Sequence, residues 1–221
     1  MTISFAEMAD RAQFNLARIC VLNDLTGQLV ADPDYHVDFA IDDIRRAIVV
    51  YLHATLKDFL RNLTASRLPL GAVDVLRLIP FVGGDGLKTT LTLGDLHSYR
   101  GRLVDEVIVE SVGAYLDKTS YNNVDDLAKH LKEMGLRLTI LPPHAASLAT
   151  LMARGHYVAH RVDYDDVEGD NQHRLHSITC PQVVAWYEAV SQLIGELRVE
   201  VDRLHSVEKE CFNVLTACRF A

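Results

Sequence analysis

The chain reads as an all-α protein, a helical bundle interrupted once, around residues 75–93, by a short β-hairpin or extended loop. Three observations predict it. Apolar residues recur at steps of three and four over most of the length, the spacing that lines one face of a helix. Turn-forming and β-branched residues are concentrated in a single stretch. Near the C-terminal end an unbroken apolar seam runs from Val183 to Leu204. With 221 residues, 49% of them hydrophobic, one sizeable domain is expected. At that length roughly 70% of the unfolded surface can be buried, so neither disulfide nor metal is needed as a staple.

In chain order, a first helix is expected over about 5–30, through Ala9, Ala12, Phe14, Leu16, Ile19 and Leu22. From Ala40, the residues Ile41, Ile44, Ile48, Tyr51, Leu52, Leu56, Phe59, Leu60 and Leu63 stripe a long amphipathic helix. Asp34 or Asp38 caps its start, and Arg67-Leu68-Pro69 ends it. Pro80-Phe81-Val82-Gly83-Gly84-Asp85-Gly86 is turn-rich and Lys88-Thr89-Thr90-Leu91-Thr92-Leu93 is β-branched, which suits a hairpin or extended loop. A phosphate loop is excluded, because Leu87 separates Gly86 from Lys88 and no helical pattern follows directly. Helices resume over Leu103 to Leu116 and over Val124 to Met134, the latter capped by Asn123 and closed by Gly135. Pro142-Pro143 introduces a helix through Leu148 to Val158, and the acidic, polar stretch Val162 to Ser177 follows as a loop. Pro181 suits the first turn of the last helix, where Val183, Tyr187, Val190, Ile194, Leu197, Val201 and Leu204 form a heptad seam. That seam fits a bundle core or a two-helix dimer interface equally well.

The formal charge of −8 argues against a protein that coats nucleic acid through a broad basic surface, though not against a local basic groove. Cys20, Cys180, Cys211 and Cys218 are widely spaced and form no C-x-x-C pair, so neither a zinc site nor a disulfide framework is signalled, which suits a reducing cytoplasm. The N-terminal residues have no basic n-region, so no signal peptide is expected. No apolar run approaches the roughly 20 residues that span a bilayer.

Arg154-Gly155-His156-Tyr157-Val158-Ala159-His160-Arg161 is the segment that carries chemistry. Cations at a helix end offset the C-terminal dipole, which accounts for any one of these residues. The set of a phosphate-shaped guanidinium and two proton-moving imidazoles points further. His156 and His160 share a helix face, and Asp163, Asp165 and Asp166 are potential oxygen ligands. The flanking arginines and the lack of an intervening glutamate argue against a metal, and none is assigned. His173 and His176 lie in a polar stretch and read as solvated. No serine or cysteine sits in a nucleophile setting. RNA cleavage by its own 2′-hydroxyl needs a base, an acid and positive charge on the phosphorane, which His and Arg supply without metal. Along a helix Arg154 and His160 stand roughly 9 Å apart and about a third of a turn out of register. Two copies around a two-fold axis would pool these groups in one cleft.

An arginine followed within four to six residues by a histidine, near the end of a helix in an all-α chain, resembles the HEPN superfamily of metal-independent ribonucleases. The likeness is greatest to the RiboL-PSP type, across Leu148-Ala149-Thr150-Leu151-Met152-Ala153-Arg154 and on to His160-Arg161-Val162-Asp163. It extends to the helix Ala47 to Leu63, with Asp58 among aliphatics, and to Tyr115-Leu116-Asp117-Lys118-Thr119-Ser120-Tyr121-Asn122-Asn123. The family's commoner spacing places the arginine five positions before the histidine, where this chain has Gly155.

The resemblance implies a single HEPN-like domain over 1–221, with a core at about 40–205 and the N-terminal helix and C-terminal extension packed on it. It implies His160 as proton-transfer residue, Arg154 as phosphate clamp and His156 as the accessory polar group, with Arg161 and Asp163 in support. Asp58 either anchors Arg154 or is a solvated carboxylate. Lys57 and Arg61, with Arg67, extend a basic rim for RNA or stand on a solvated face, and Tyr157 reads as core rather than stacking platform. Further implications are a homodimeric endoribonuclease needing neither metal nor cofactor, a toxin or host-defence role, and a cognate antitoxin or regulator. The alternative is a non-catalytic HEPN module that binds RNA, a nucleotide or a protein partner.

Overall fold

Phe5–Ala31 (α1) and Asp38–Arg67 (α2) lie antiparallel against each other. Phe5 meets Phe59 edge-on at a ring separation of 6.4 Å, and Arg18 lies 5.9 Å from the Tyr51 ring. The computed structural model describes residues 4–31, 38–83, 86–88, 90, 92–161, 163 and 175–219. Asp34, one of the two expected caps of α2, lies outside them, and Asp38 is the first helical residue.

Ile48, Leu52, Leu56, Phe59, Leu60 and Leu63 of α2 are each at most 1% exposed. Burial of a side chain of this size stabilises by roughly 1.5–3 kcal/mol, so α2 is the axis of the core. Helix α2 ends in a 3-10 turn, Leu68–Leu70, with Pro69 inside it. Val73–Leu76 (α3), the strands Phe81–Gly83 (β1) and Gly86–Lys88 (β2), and Leu93–His97 (α4) follow. The strands pair antiparallel, Val82 opposite Leu87, so the expected hairpin is present. It is pinned to the next helix, Val104–Leu116 (α5), by Val82 N–H donating to Ser111 Oγ at 3.1 Å. Tyr99 donates its hydroxyl to Val82 O. A small second core forms here from Leu68, Val112 and Leu116.

The two short helices beside the hairpin do not show in apolar periodicity, because neither completes two turns. Thr92 and Asp95 nonetheless form a full capping box at the start of α4, a signal present in the sequence as Thr-x-x-Asp. Val124–Glu133 (α6) is capped by Asn123, whose side chain accepts from Asp126 N–H at 2.7 Å. Gly135 sits one residue beyond the cap at φ 72°, and Leu136 N–H returns to Leu131 O, which closes the helix as a left-handed C-terminal turn.

Ala145–Arg161 (α7) and Cys180–Arg219 (α8) complete the bundle against α2. On α8 the heptad seam is consumed inside the chain: Val190, Leu197 and Val201 are fully buried, Val183 nearly so. The seam is therefore mostly bundle core, with Tyr187 and Leu204 partly buried at its edge. No helix among the described residues is long and apolar enough to cross a membrane.

Candidate functional site

Helix α7 crosses α2 where Gly155 faces His53. A Cβ built on Gly155 would lie 2.5 Å from His53 Nδ1, 2.8 Å from its Cγ and 2.9 Å from its Cβ. Glycine in a helix interior costs about 1 kcal/mol relative to alanine, so its presence here reflects close packing. The arginine of the commoner family spacing has no room at this position. Sequence periodicity cannot reveal that, because a glycine has no side chain to register on either face.

His53 is buried against α7, and its Nε2 has no hydrogen-bond partner. Burial, then the charge of Lys57, then that of His156, lower its pKa to about 4. The folded protein thus keeps this imidazole neutral, whereas the unfolded chain protonates near the ordinary value of 6.5. The unfolded state binds more protons between pH 6.5 and 4, so stability falls as pH drops through that window. The expected loss is at most about 3 kcal/mol. Urea unfolding at pH 7 and pH 4.5 should show it, and His53→Leu should flatten the slope; an unchanged slope in that variant would place the proton uptake elsewhere.

On the adjoining face of α7, His156 and His160 are both exposed, with ring centroids 4.5 Å apart. The i, i+4 spacing brings them together as expected. Among the described residues no three His, Cys, Asp or Glu side chains converge on one point; Asp165, Asp166 and His173 lie outside those residues.

Arg154 points away from the imidazoles. Its Nε lies 3.2 Å from Asp163 Oδ1, a charge contact bent outside hydrogen-bond geometry, and its Nη2 donates to Ser177 O at 3.2 Å. Asp163 is completely buried and sits at φ 63°, a left-handed conformation that aspartate tolerates better than most residues. Its second oxygen accepts from Arg46 Nε at 3.0 Å. Three arginines then hold three successive carbonyls of the segment entering α8. Arg46 donates to His176 O at 2.9 Å, Arg154 to Ser177 O, and Arg45 to Ile178 O at 3.1 Å. Arg154 is thus part of a staple that ties α2, α7 and this segment together. Arg46 and Arg45 were not singled out from sequence; charged residues in the first turns of a long helix carry no signal of distant partners.

Asp58 does not anchor Arg154. It pairs with Arg11 of α1 at 3.2 Å, because the face of α2 that carries it packs toward α1, and the carboxylate that meets Arg154 is Asp163. Lys57 is half-buried and donates to Asn122 Oδ1 at 2.8 Å. Arg61 is paired with Asp117, so neither cation is presented alone to a polyanion. Arg67 is buried. Arg161 lies 5.3 Å from the Tyr157 ring and donates to its hydroxyl at 3.4 Å.

Beside Arg154 a groove of about 440 Å³ is lined by Tyr157, His176, Ser177, Gln182, Trp186 and Thr150. Tyr157 is half-buried on this groove rather than in the core. No family model, curated protein or solved structure matches this chain.

Proposed function

We propose that the chain is a metal-independent endoribonuclease of the HEPN type, with His156 and His160 as its proton-transfer groups. The observation that supports this is the pair of exposed imidazoles on one face of α7, their rings 4.5 Å apart between centroids and tilted 51° to each other. One takes the proton from the ribose 2′-hydroxyl, whose oxygen then attacks phosphorus. The other delivers a proton to the departing 5′-oxygen, which leaves a 2′,3′-cyclic phosphate and a 5′-hydroxyl. Arg154 is engaged by Asp163 and Ser177 in every copy, so the positive charge beside the phosphorane is that of the protonated imidazole, and a second copy across a two-fold axis would add its own histidine pair. A cognate antitoxin or regulator would restrain such an activity.

The assay is RNA cleavage in excess EDTA by wild type, His156→Ala, His160→Ala and Arg154→Ala. Cleavage should persist in chelator and fall at least 100-fold in each histidine variant, the usual scale of a lost general acid or base. Wild-type rates in His160→Ala would remove the assignment. Cleavage in Arg154→Ala should fall through loss of the staple, with melting temperature lowered in parallel. A second reading is favoured by the neutralised Arg154: a non-catalytic HEPN module that binds RNA without cutting it. Retention of intact RNA by the wild type would select that reading.

A further inference from the structure

We infer that the groove between α7 and the start of α8 is a nucleobase-binding subsite. This rests on the reading of the neighbouring histidines as an RNA-engaging site, catalytic or not. Three aromatic rings, Tyr157, His176 and Trp186, line one concavity with the guanidinium of Arg154. Tyr157 and His176 meet nearly at right angles, 76° between planes and 6.2 Å between centroids, and so form a corner in the groove. Single-stranded RNA is recognised by stacking splayed bases on aromatic rings and on arginine planes. The volume of about 440 Å³ falls in the range of small-ligand clefts.

The charge in the groove selects a base over a phosphate. Arg154 is the charged side chain of the lining, and the network behind it, Arg154 and Arg46 with Asp163 and Asp43, sums to zero, so the groove offers a guanidinium plane whose charge is already met. A planar neutral ring meets its preferences better than an anion does. Gln182 accepts from Thr179 N–H at 2.8 Å and from its hydroxyl at 3.0 Å, which orients the carboxamide and leaves its –NH₂ as a donor for a base carbonyl. Trp186 is fixed from behind, its Nε1 donating to Thr150 Oγ1 at 2.8 Å.

The subsite also lies at the correct distance from the chemistry. His160 follows Tyr157 by one helical turn on nearly the same face, a separation of roughly 5–6 Å between Cβ atoms. A base seated on Tyr157 therefore carries its own phosphate toward His160.

Trp186 is the chain's single tryptophan and, 5% exposed, lies at the boundary of groove and core, so a change in its fluorescence on adding ligand reads the groove from beneath. The full-length protein is titrated with a short single-stranded 2′-O-methyl RNA, which has no 2′-hydroxyl to attack its own phosphate, the matched duplex, an abasic oligonucleotide of equal length and uridine 5′-monophosphate. The single strand should change Trp186 emission saturably, and the duplex and abasic strand should bind at least tenfold more weakly. Tyr157→Ala and Gln182→Ala should each weaken the response, Tyr157→Ala by about tenfold or more. A saturable response to the mononucleotide at equal affinity would support the base site and identify free nucleotide as its ligand. Equal binding of the abasic strand, or no response to any probe, would overturn the subsite. Failure of the two proposals is distinguishable: binding read through Trp186, with unmodified RNA never cut, removes catalysis and leaves the subsite. Cleavage undiminished in Tyr157→Ala with a silent Trp186 removes the subsite and leaves catalysis.

Discussion

Asp163→Ala should lose about 3–5 kcal/mol of folding stability. The carboxylate is fully buried between two guanidiniums, Arg46 at 3.0 Å and Arg154 at 3.2 Å, and Arg46 is itself only 9% exposed at the side chain. Removing it leaves Arg154 without its carboxylate and Arg46 with only the exposed Asp43, in a low-dielectric site. Alanine adds a second penalty, because position 163 sits at φ 63°, where a residue with a Cβ and no local hydrogen-bonding group costs roughly 1–2 kcal/mol. Asp163→Asn keeps the shape and the backbone tolerance and loses only the charge, so it should fall between wild type and alanine. Urea denaturation followed by circular dichroism ranks the three proteins. A loss below 1 kcal/mol in Asp163→Ala would mean that the arginines find water instead, and that the staple contributes little. Since the staple holds the carbonyls of His176, Ser177 and Ile178, any binding at the proposed subsite should weaken with stability in the same order.

Gly155→Ala should destabilise despite the gain of about 1 kcal/mol in helix propensity. The new methyl would stand 2.5 Å from the His53 ring and 2.9 Å from its Cβ, too close for a side-chain rotation alone to relieve. Forced repacking of this kind costs typically 1–3 kcal/mol, which outweighs the propensity term. Gly155→Arg should be worse and should fail to accumulate as folded protein. The pairing with His53 makes the cause testable by a double-mutant cycle. With His53→Gly in place both the ring and the Cβ are gone and the methyl has room, so Gly155→Ala should become neutral or stabilising there, a coupling of about 1–3 kcal/mol. Additive effects in the cycle would show that α7 and α2 do not meet as closely as the His53 contact requires.

Much of the candidate site was legible before any coordinates. The i, i+4 histidines lie together because helical periodicity places them so, and a helix of this composition leaves little freedom in the matter. The hairpin was legible from its glycines and β-branched residues. Asn123 and Gly135 were legible as helix stops because capping is local chemistry. The partners of the cations were not: Asp58 stood in for Asp163 because both are acidic residues within reach on a diagram of the chain, and only the packing of α1 on α2 assigns Asp58 to Arg11. Tyr157 read as core, yet among the described residues it is half-buried and lines the groove.

Sequence alone was sufficient for much of what depends on neighbours along the chain: the long helices, the stops at Asn123 and Gly135, the hairpin and the shared face of His156 and His160. Tertiary structure decided everything that depends on which faces meet. It turned the heptad seam of α8 inward, gave Arg154 to a buried carboxylate, and made Gly155 a point of contact rather than a missing arginine. The reason is range. Periodicity and capping act within one or two turns, whereas burial and charge pairing join residues such as Arg46 and Asp163, which lie 117 positions apart.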